Sequence, residues 1–329
     1  MPAVMAVCAS DEHPLDCLSV TEAPVPVPPQ GWELVRVVAA SLNHHDLWTL
    51  RGVGIDPDRL PIVLGCDAAG VTAGGREVIV HAVISGLTGA PAADETLAAD
   101  FSMLSERYDG TFAGWVAVPG RNLLDKPPEL SFEESACLPT AYLTAYRALF
   151  AQARIRPGDR VLIQGAGGGV ATAATVLARA GGFRVWVTSR SEEKCRRAVE
   201  AGAHAAFEAG ARLPERVHAV VETVGAATWG HSLRALMPGG TVVMVGATSG
   251  ADPPADLRRI YYRQLRVVGS TMGTREELAA LVRMLLATGV RPVIDSVVPL
   301  AGARRAFERM AAGDLFGKLV LRPEGAQIS

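Results

Sequence analysis

Residues 160–180 are RVLIQGAGGGVATAATVLARA. Val161–Ile163 is an apolar run of strand length, and Val170–Ala180 reads as a helix. The turn between them is Gly165-Ala166-Gly167-Gly168-Gly169-Val170-Ala171. A phosphate approaches a backbone closely only where side chains are absent, and a helix N-terminus offers free N–H groups and partial positive charge. As G-x-G-x-x-G the pattern misses, because its sixth position is Val170. As G-x-x-G-x-x-A it fits, with Gly165, Gly168 and Ala171, and a small last residue still allows close helix packing. A glycine-rich turn without ligand would show the same letters. Placed between a buried strand and a helix, the pattern points to a dinucleotide, with Gly165, Gly168, Gly169 and Val170 as candidate contacts. This is also the longest uncharged stretch, between Arg160 and Arg179. Its glycines and Gln164 fit strand, turn and helix better than a lipid-embedded helix.

The next strand candidate, Phe183–Val187, bears on which dinucleotide. An NAD site places Asp or Glu about 20 residues after the glycines, to accept from the ribose 2′-hydroxyl. Here Val187-Thr188-Ser189-Arg190-Ser191 ends the strand without an acid. Hydroxyls, a guanidinium and Lys194 suit a 2′-phosphate, which needs donors and positive charge. The expected cofactor is NADP(H), held by Ser189, Arg190 and Lys194. The alternative is that Arg190 and Lys194 are ordinary solvated residues at a helix start.

Farther along, strand candidates Val217–Val221, Thr241–Val245 and Leu265–Val268 alternate with helix candidates Ser191–Ala201, Thr228–Leu236 and Glu276–Thr288. That alternation predicts an α/β domain with a doubly wound parallel sheet. Ser131-Phe132-Glu133-Glu134 and Thr274-Arg275-Glu276-Glu277 are capping boxes, and the first opens a helix candidate running to Phe150. The N-terminal third reads as β-rich and irregular, with strands expected at Trp32–Ala40 and Glu77–Ile84 and a long loop at Gly86–Asp109. Lys126-Pro127-Pro128 reads as a hinge. Ala301–Ala312, Gly313 and Lys318–Leu321 read as helix, stop and strand.

The length of 329 residues fits about two domains. A formal net charge of −2 excludes nucleic-acid binding through bulk positive charge. The first basic residue is Arg36, so no basic signal-peptide start or Arg-rich transit peptide is expected. The expected location is the cytoplasm. Five cysteines without a Cys-x-x-Cys pair argue against a disulfide scaffold and a multi-Cys zinc module, with reduced thiols as the default.

Taken together, the motifs resemble the medium-chain dehydrogenase/reductase superfamily over nearly the whole chain. They are Leu42-Asn43-His44-His45-Asp46-Leu47-Trp48 with Arg51-Gly52, Pro61–Gly70 (PIVLGCDAAG), Asp109–Val118 (DGTFAGWVAV), Leu138–Leu149, the glycine turn, Pro238–Gly246 (PGGTVVMVG) and Gly317-Lys318. The resemblance implies a GroES-like β domain over residues 1–127, a Rossmann domain over 128–272, and a C-terminal segment, 273–329, returning to the first. It places the nicotinamide in the cleft between the domains. It implies cofactor contacts at Val224 and Gly225, at Gly246, Ala247 and Thr248, and at Ser270, Thr271 and Met272. Lys318 would reach the cofactor or lie on the surface. A homodimer through the edge of the Rossmann sheet is expected by the same analogy.

Zinc-dependent alcohol dehydrogenases of this superfamily carry Cys where this chain has Asn43, Gly-His-Glu where it has Gly65-Cys66-Asp67, and a further Cys near Thr140. The Gly86–Asp109 stretch also lacks the four cysteines of a structural zinc loop. The chain therefore resembles the zinc-independent, quinone-oxidoreductase-like branch, with no metal expected. A rearranged zinc site at Cys66 with His44 or His45 is the competing reading, tied to alcohol dehydrogenase activity. A third is an NADPH-binding protein without turnover. Without a Lewis acid, hydride addition to an already electrophilic quinone or α,β-unsaturated carbonyl is less demanding than alkoxide formation. Asn43 and Thr140 are the candidate hydrogen-bond donors, with Tyr142, His44, His45 or water as proton source. The tyrosine donor of related enoyl reductases has no counterpart at Gly54. Asp46 is expected to tie down its loop, and Cys66 and Cys137 to be packed thiols.

Overall fold

The computed structural model describes residues 1–87 and 93–323. The chain divides into two compact units, Met1–Thr140 with Gly273–Val282 and Ile294–Ser329, and Ala141–Met272 with Arg283–Val293. Among the described residues, no helix is long and apolar enough to cross a membrane.

Elements of the first unit begin with β1 (Pro2–Ala6), β2 (Leu18–Glu22), β3 (Trp32–Ser41), α1 (His44–Leu50), β4 (Ile62–Val63) and β5 (Asp67–Thr72). They continue with β6 (Glu77–Val80), β7 (Val83–Ile84), β8 (Ser102–Met103), β9 (Trp115–Pro119), β10 (Leu123–Asp125) and α2 (Phe132–Ala136). In the second unit, after a short helical turn α3 (Leu143–Tyr146), come β11 (Arg160–Ile163), α4 (Gly169–Ala180), β12 (Arg184–Ser189), α5 (Glu192–Glu200), β13 (Ala205–Glu208) and β14 (Val217–Glu222). Next are α6 (Ala226–Ala235), β15 (Leu236–Met244), α7 (Leu257–Tyr262) and β16 (Arg266–Gly269), and then α8 (Arg275–Thr288), whose residues through Val282 count with the first unit and the rest with the second. The chain closes with β17 (Ile294–Pro299), α9 (Ala303–Ala312) and β18 (Lys318–Arg322), which belong to the first unit.

The main sheet of the first unit runs β10-β6-β5-β3-β18-β17, with β9 also pairing β3. The C-terminal strand β18 lies antiparallel to β3, with Val320 opposite Ser41, and β5 flanks β3 on the other side, with Asp67 opposite Ser41. This register brings the start of β18, the end of β3 and the start of β5 to one place. Val35, Val37, Leu64, Val78 and Leu321 fill the core, and Phe112 meets Phe307 of α9 edge-on. Burial of that apolar face is what holds the C-terminal segment to strands far earlier in sequence, at roughly 25 cal/mol per Å² removed from water.

The second unit is a six-stranded parallel sheet in the order β13-β12-β11-β14-β15-β16. Numbered within the unit this is 3-2-1-4-5-6, the doubly wound Rossmann order. Val161–Ile163, Val185, Val187, Val220 and Val221 have no exposed surface, as expected of strands covered on both faces.

Several expectations change. Glu77–Ile84 is not one strand. It breaks at His81–Ala82, where Asn122 donates to the carbonyls of His81 and Val83 and turns the chain away. The Gly86–Asp109 stretch, outside residues 88–92, contains a 3-10 turn at Glu95–Leu97 and strand β8. Cys8 and Cys17 form a disulfide, against the expectation of reduced thiols. The antiparallel pairing of β1 with β2 sets Ala6 opposite Leu18 and lets Val7 N–H donate to the Cys17 carbonyl, so the two thiols arrive side by side. Cys66, Cys137 and Cys195 are free.

Candidate active site

In the first unit, α1 starts immediately after β3, and Asn43 is its N-cap. The Asn43 N–H donates to Asp46 Oδ2 at 2.8 Å, closing a capping box that fixes the helix entry. The Asn43 side chain points inward. Its Nδ2 donates to Asp67 Oδ2 at 2.8 Å and to the Ser41 carbonyl at 3.3 Å. Its Oδ1 accepts from Lys318 Nζ at 2.6 Å. Lys318 also donates to the Leu42 carbonyl at 2.6 Å and to Asp67 Oδ2 at 3.3 Å. The Ser41 hydroxyl donates to the same Asp67 oxygen at 2.7 Å. Lys318 is therefore no surface residue but a buried cation whose three donors have three acceptors. Sequence reading could not place it, because only the β18–β3 register shows where the lysine goes.

Also in the first unit, Asp67 Oδ1, Asp46 Oδ1, His45 Nε2, Ser135 Oγ and Thr140 Oγ1 are buried without a hydrogen-bond partner. Buried polar atoms of this kind are rare and need an explanation, such as a ligand group or water. Burial, reinforced by the nearby Asp67 charge, pushes the Asp46 carboxyl up to about 7 against the pull of the Asn43 and Gly65 N–H groups. Burial lowers His45 to about 4. Asp46 ties down its loop as expected.

Thr140 lies in the first unit with Asn43. Tyr142 belongs to the second unit, is fully buried, and its hydroxyl oxygen accepts from Val293 N–H at 2.7 Å. That bond makes it a backbone anchor. Cys66 and Cys137 are fully buried. The Cys66 thiol donates to the Leu104 carbonyl, and burial raises it well above its ordinary value, while Cys137 is pushed up to about 12.

In the second unit the glycine turn follows β11. Gly165 has φ +77°, and a Cβ there would meet Val224 Cγ2 at 2.6 Å, so the turn tolerates only glycine. Gly168 is the N-cap of α4, Gly169 opens the helix, and a Cβ on Gly168 would meet nothing within 4 Å. This leaves open space at the N-terminus of a 12-residue helix that also includes Val170. At the end of β12 the Ser189 hydroxyl accepts from Ser191 N–H, and the Ser191 hydroxyl caps α5 by accepting from Lys194 N–H. Arg190 is exposed. Val224 and Gly225 form the turn after β14. Gly246, Ala247 and Thr248 follow β15, and Ser270, Thr271 and Met272 follow β16. All leave the C-terminal ends of parallel strands, where ligands bind in open α/β sheets. Ser270 Oγ is buried without a partner, and Met272 takes φ +52°. These residues fit a dinucleotide.

A family model described as alcohol dehydrogenase GroES-like domain matches residues 29–128, and one described as zinc-binding dehydrogenase matches residues 169–287. The chain is 32% identical over 319 residues to a zinc-type alcohol dehydrogenase-like protein of Schizosaccharomyces pombe, covering 89% of this chain and 91% of that protein. The chain belongs to the medium-chain dehydrogenase/reductase superfamily. It is a GroES-like domain joined to a Rossmann domain, and its relatives are oxidoreductases. A quinone oxidoreductase of Lama guanicoe, another member of the superfamily, is 27% identical over 92% of each chain. The crystal structure of an NAD-dependent alcohol dehydrogenase matches with a TM-score of 0.90 and 33% identity, covering 98% of this chain and 99% of that one.

Zinc-type members of the superfamily hold their metal at the positions of Asn43, Cys66 and Thr140. The residues here do not fit it. Zinc needs several thiolate, imidazole or carboxylate ligands in tetrahedral array. Asn43 and Asp67 are already bonded to the Lys318 ammonium, whose charge opposes a second cation beside it. Cys66 already donates its thiol to the Leu104 carbonyl. Among the described residues, no group of three or more His, Cys, Asp or Glu side chains is placed to hold a metal ion.

Proposed function

We propose that this oxidoreductase uses NADPH to reduce a quinone or an α,β-unsaturated carbonyl compound without a metal. The observation that carries the reading is the Lys318–Asn43–Asp67 cluster at the superfamily's zinc position. A site built on neutral donors and an internal ammonium suits acceptors that are already electrophilic. Bound NADPH supplies a hydride. Gly165, Gly168, Gly169 and Val170 offer it the backbone of a turn and a helix N-terminus, and Ser189, Arg190 and Lys194 suit its 2′-phosphate. Val224, Gly225, Gly246, Ala247, Thr248, Ser270, Thr271 and Met272 carry the remaining contacts.

In this reading Thr140 donates to the oxygen on which negative charge develops, since its buried hydroxyl oxygen has no partner in the fold. Asn43 acts as a positioning residue, because both its N–H donors and its oxygen are engaged. The enzyme is cytoplasmic and dimeric in this reading. β16 is an edge strand, and Val267, Tyr261 and Tyr262 beside it are 46%, 68% and 76% exposed. Such an edge with apolar neighbours invites strand pairing with a second copy.

The test is the oxidation of NADPH and of NADH by the purified protein with a panel of quinones and enones. Turnover with NADPH and at least one such acceptor is the expected result. Turnover confined to simple alcohols with NAD would overturn the reading.

A further inference from the structure

Glu222, the last residue of β14, has no place in any cofactor pattern. Its side chain has no exposed surface and accepts four hydrogen bonds. Oε1 takes Val224 N–H at 2.8 Å, Gly225 N–H at 3.1 Å and the Thr228 hydroxyl at 2.8 Å, and Oε2 takes the Ser232 hydroxyl at 2.5 Å. A carboxylate is the one side chain able to accept that many donors at once. The two backbone bonds wrap the chain around the carboxyl group, so the turn after β14 is shaped by this side chain.

That turn in turn holds the one after β15. The Val224 carbonyl accepts from Ser249 N–H at 2.8 Å and from the Ser249 hydroxyl at 2.7 Å. Ala226 N–H donates to the Gly250 carbonyl at 3.0 Å. Gly225 sits at φ +93° and ψ −130°, where a Cβ would meet the Gly250 carbonyl oxygen at 2.6 Å and Ala247 Cα at 2.8 Å. The Val224 side chain meanwhile closes on Gly165 of the phosphate turn. Glu222 thus lies beneath both Val224-Gly225 and the Gly246–Ser249 loop.

We propose that Glu222 is a positioning residue for the dinucleotide, setting the Val224-Gly225 and Gly246–Ser249 turns against its nicotinamide half while leaving the adenosine half to Ser189, Arg190 and Lys194. The inference rests on the cofactor reading given above. Glu222→Met keeps the length of the side chain and removes every acceptor. Glu222→Gln is the conservative control, because its oxygen at the Oε1 position still accepts from Val224 N–H, Gly225 N–H and Thr228 while its amide nitrogen donates to the Ser232 hydroxyl oxygen. Ser232→Ala removes one hydroxyl and leaves the backbone bonds in place.

The experiment measures NADPH and adenosine 2′,5′-bisphosphate binding by titration calorimetry, and hydrogen exchange of the ligand-free protein across residues 223–226. For Glu222→Met the expected result is NADPH binding at least about fivefold weaker, bisphosphate binding within about twofold of wild type, and faster exchange at residues 224 and 225, whereas Glu222→Gln is expected to bind both ligands within about threefold of wild type. Ser232→Ala is expected to bind both ligands within about threefold of wild type. Equal NADPH affinity in Glu222→Met and wild type overturns the positioning role alone. Equal loss of both ligands also overturns it, since it marks a general structural role. A wild-type protein that binds neither ligand overturns the cofactor reading and this inference with it.

Discussion

Lys318 and Asp67 form an ion pair 3.3 Å long in which neither side chain exposes more than 1% of its surface. The pair stands because each charge has further partners. The ammonium has Leu42 and Asn43, and Asp67 Oδ2 has Ser41 and Asn43. Removing one member of a buried pair leaves an uncompensated charge, whereas removing both charges costs far less. Lys318→Met is therefore expected to lower unfolding stability by roughly 3–5 kcal/mol, and Lys318→Met with Asp67→Asn by clearly less than the sum of the single changes. Denaturant unfolding of the four proteins of this cycle checks it. Strict additivity would contradict the pairing.

Two neighbours on α1 work against each other as the pH changes. His45 is lowered from 6.5 to about 4, so an unfolded chain takes up its proton first. Its contribution to stability is full above pH 6.5 and is lost as the pH falls toward about 4. Asp46 is raised from 3.8 to about 7. Its contribution is full below pH 3.8 and is lost as the pH rises through about 7. Over the shared window the slopes oppose at about 1.4 kcal/mol per pH unit each. Asp46→Asn should expose the His45 slope, with stability falling by roughly 3 kcal/mol on going from pH 6.5 to 4. His45→Gln should show the reverse trend. Matching pH profiles for the two variants would contradict the assignment.

The proposed preference for NADPH rests on the charge at the start of α5. Arg190→Ala combined with Lys194→Ala should weaken NADPH binding by roughly tenfold or more and leave NADH within about twofold, because only the former carries the 2′-phosphate. Fluorescence titration with both nucleotides checks this. Equal losses would locate the preference elsewhere.

The Cys8–Cys17 disulfide closes a loop with a sequence separation of 9. Restricting so short a loop in the unfolded chain is worth about 2–3 kcal/mol on the chain-entropy model. Cys8→Ser should lose about that much, and the loss should match the effect of adding a reductant to wild type. Alkylation of the unfolded, unreduced protein should modify Cys66, Cys137 and Cys195 alone. Modification of all five cysteines would show the bond to be absent.

Much of the second unit was legible because its signals are local. The glycine turn lies between Ile163 and Val170, Ser191 caps α5, and Ser131 with Glu134 closes a capping box as the spacing predicted. β13 (Ala205–Glu208) escaped notice because an Ala-Ala-Phe-Glu strand lacks the β-branched run that marks its neighbours. The helix α1 escaped because His44, His45 and Trp48 blur the apolar face that Leu47 and Leu50 bury. Asn43 and Thr140 were found through their place in a family pattern. The partners that define Asn43 came only from folding. Lys318 is 275 residues from Asn43, and no short-range pattern joins them. Glu222 was invisible for a different reason, since half of its partners are backbone N–H groups, which any residue at those positions would supply.

Turnover without a metal is checked by the rate of NADPH oxidation with a quinone, measured on protein dialysed exhaustively against a strong chelator. The expected rate is undiminished, and added zinc does not raise it. A rate abolished by the chelator and restored by zinc would contradict it.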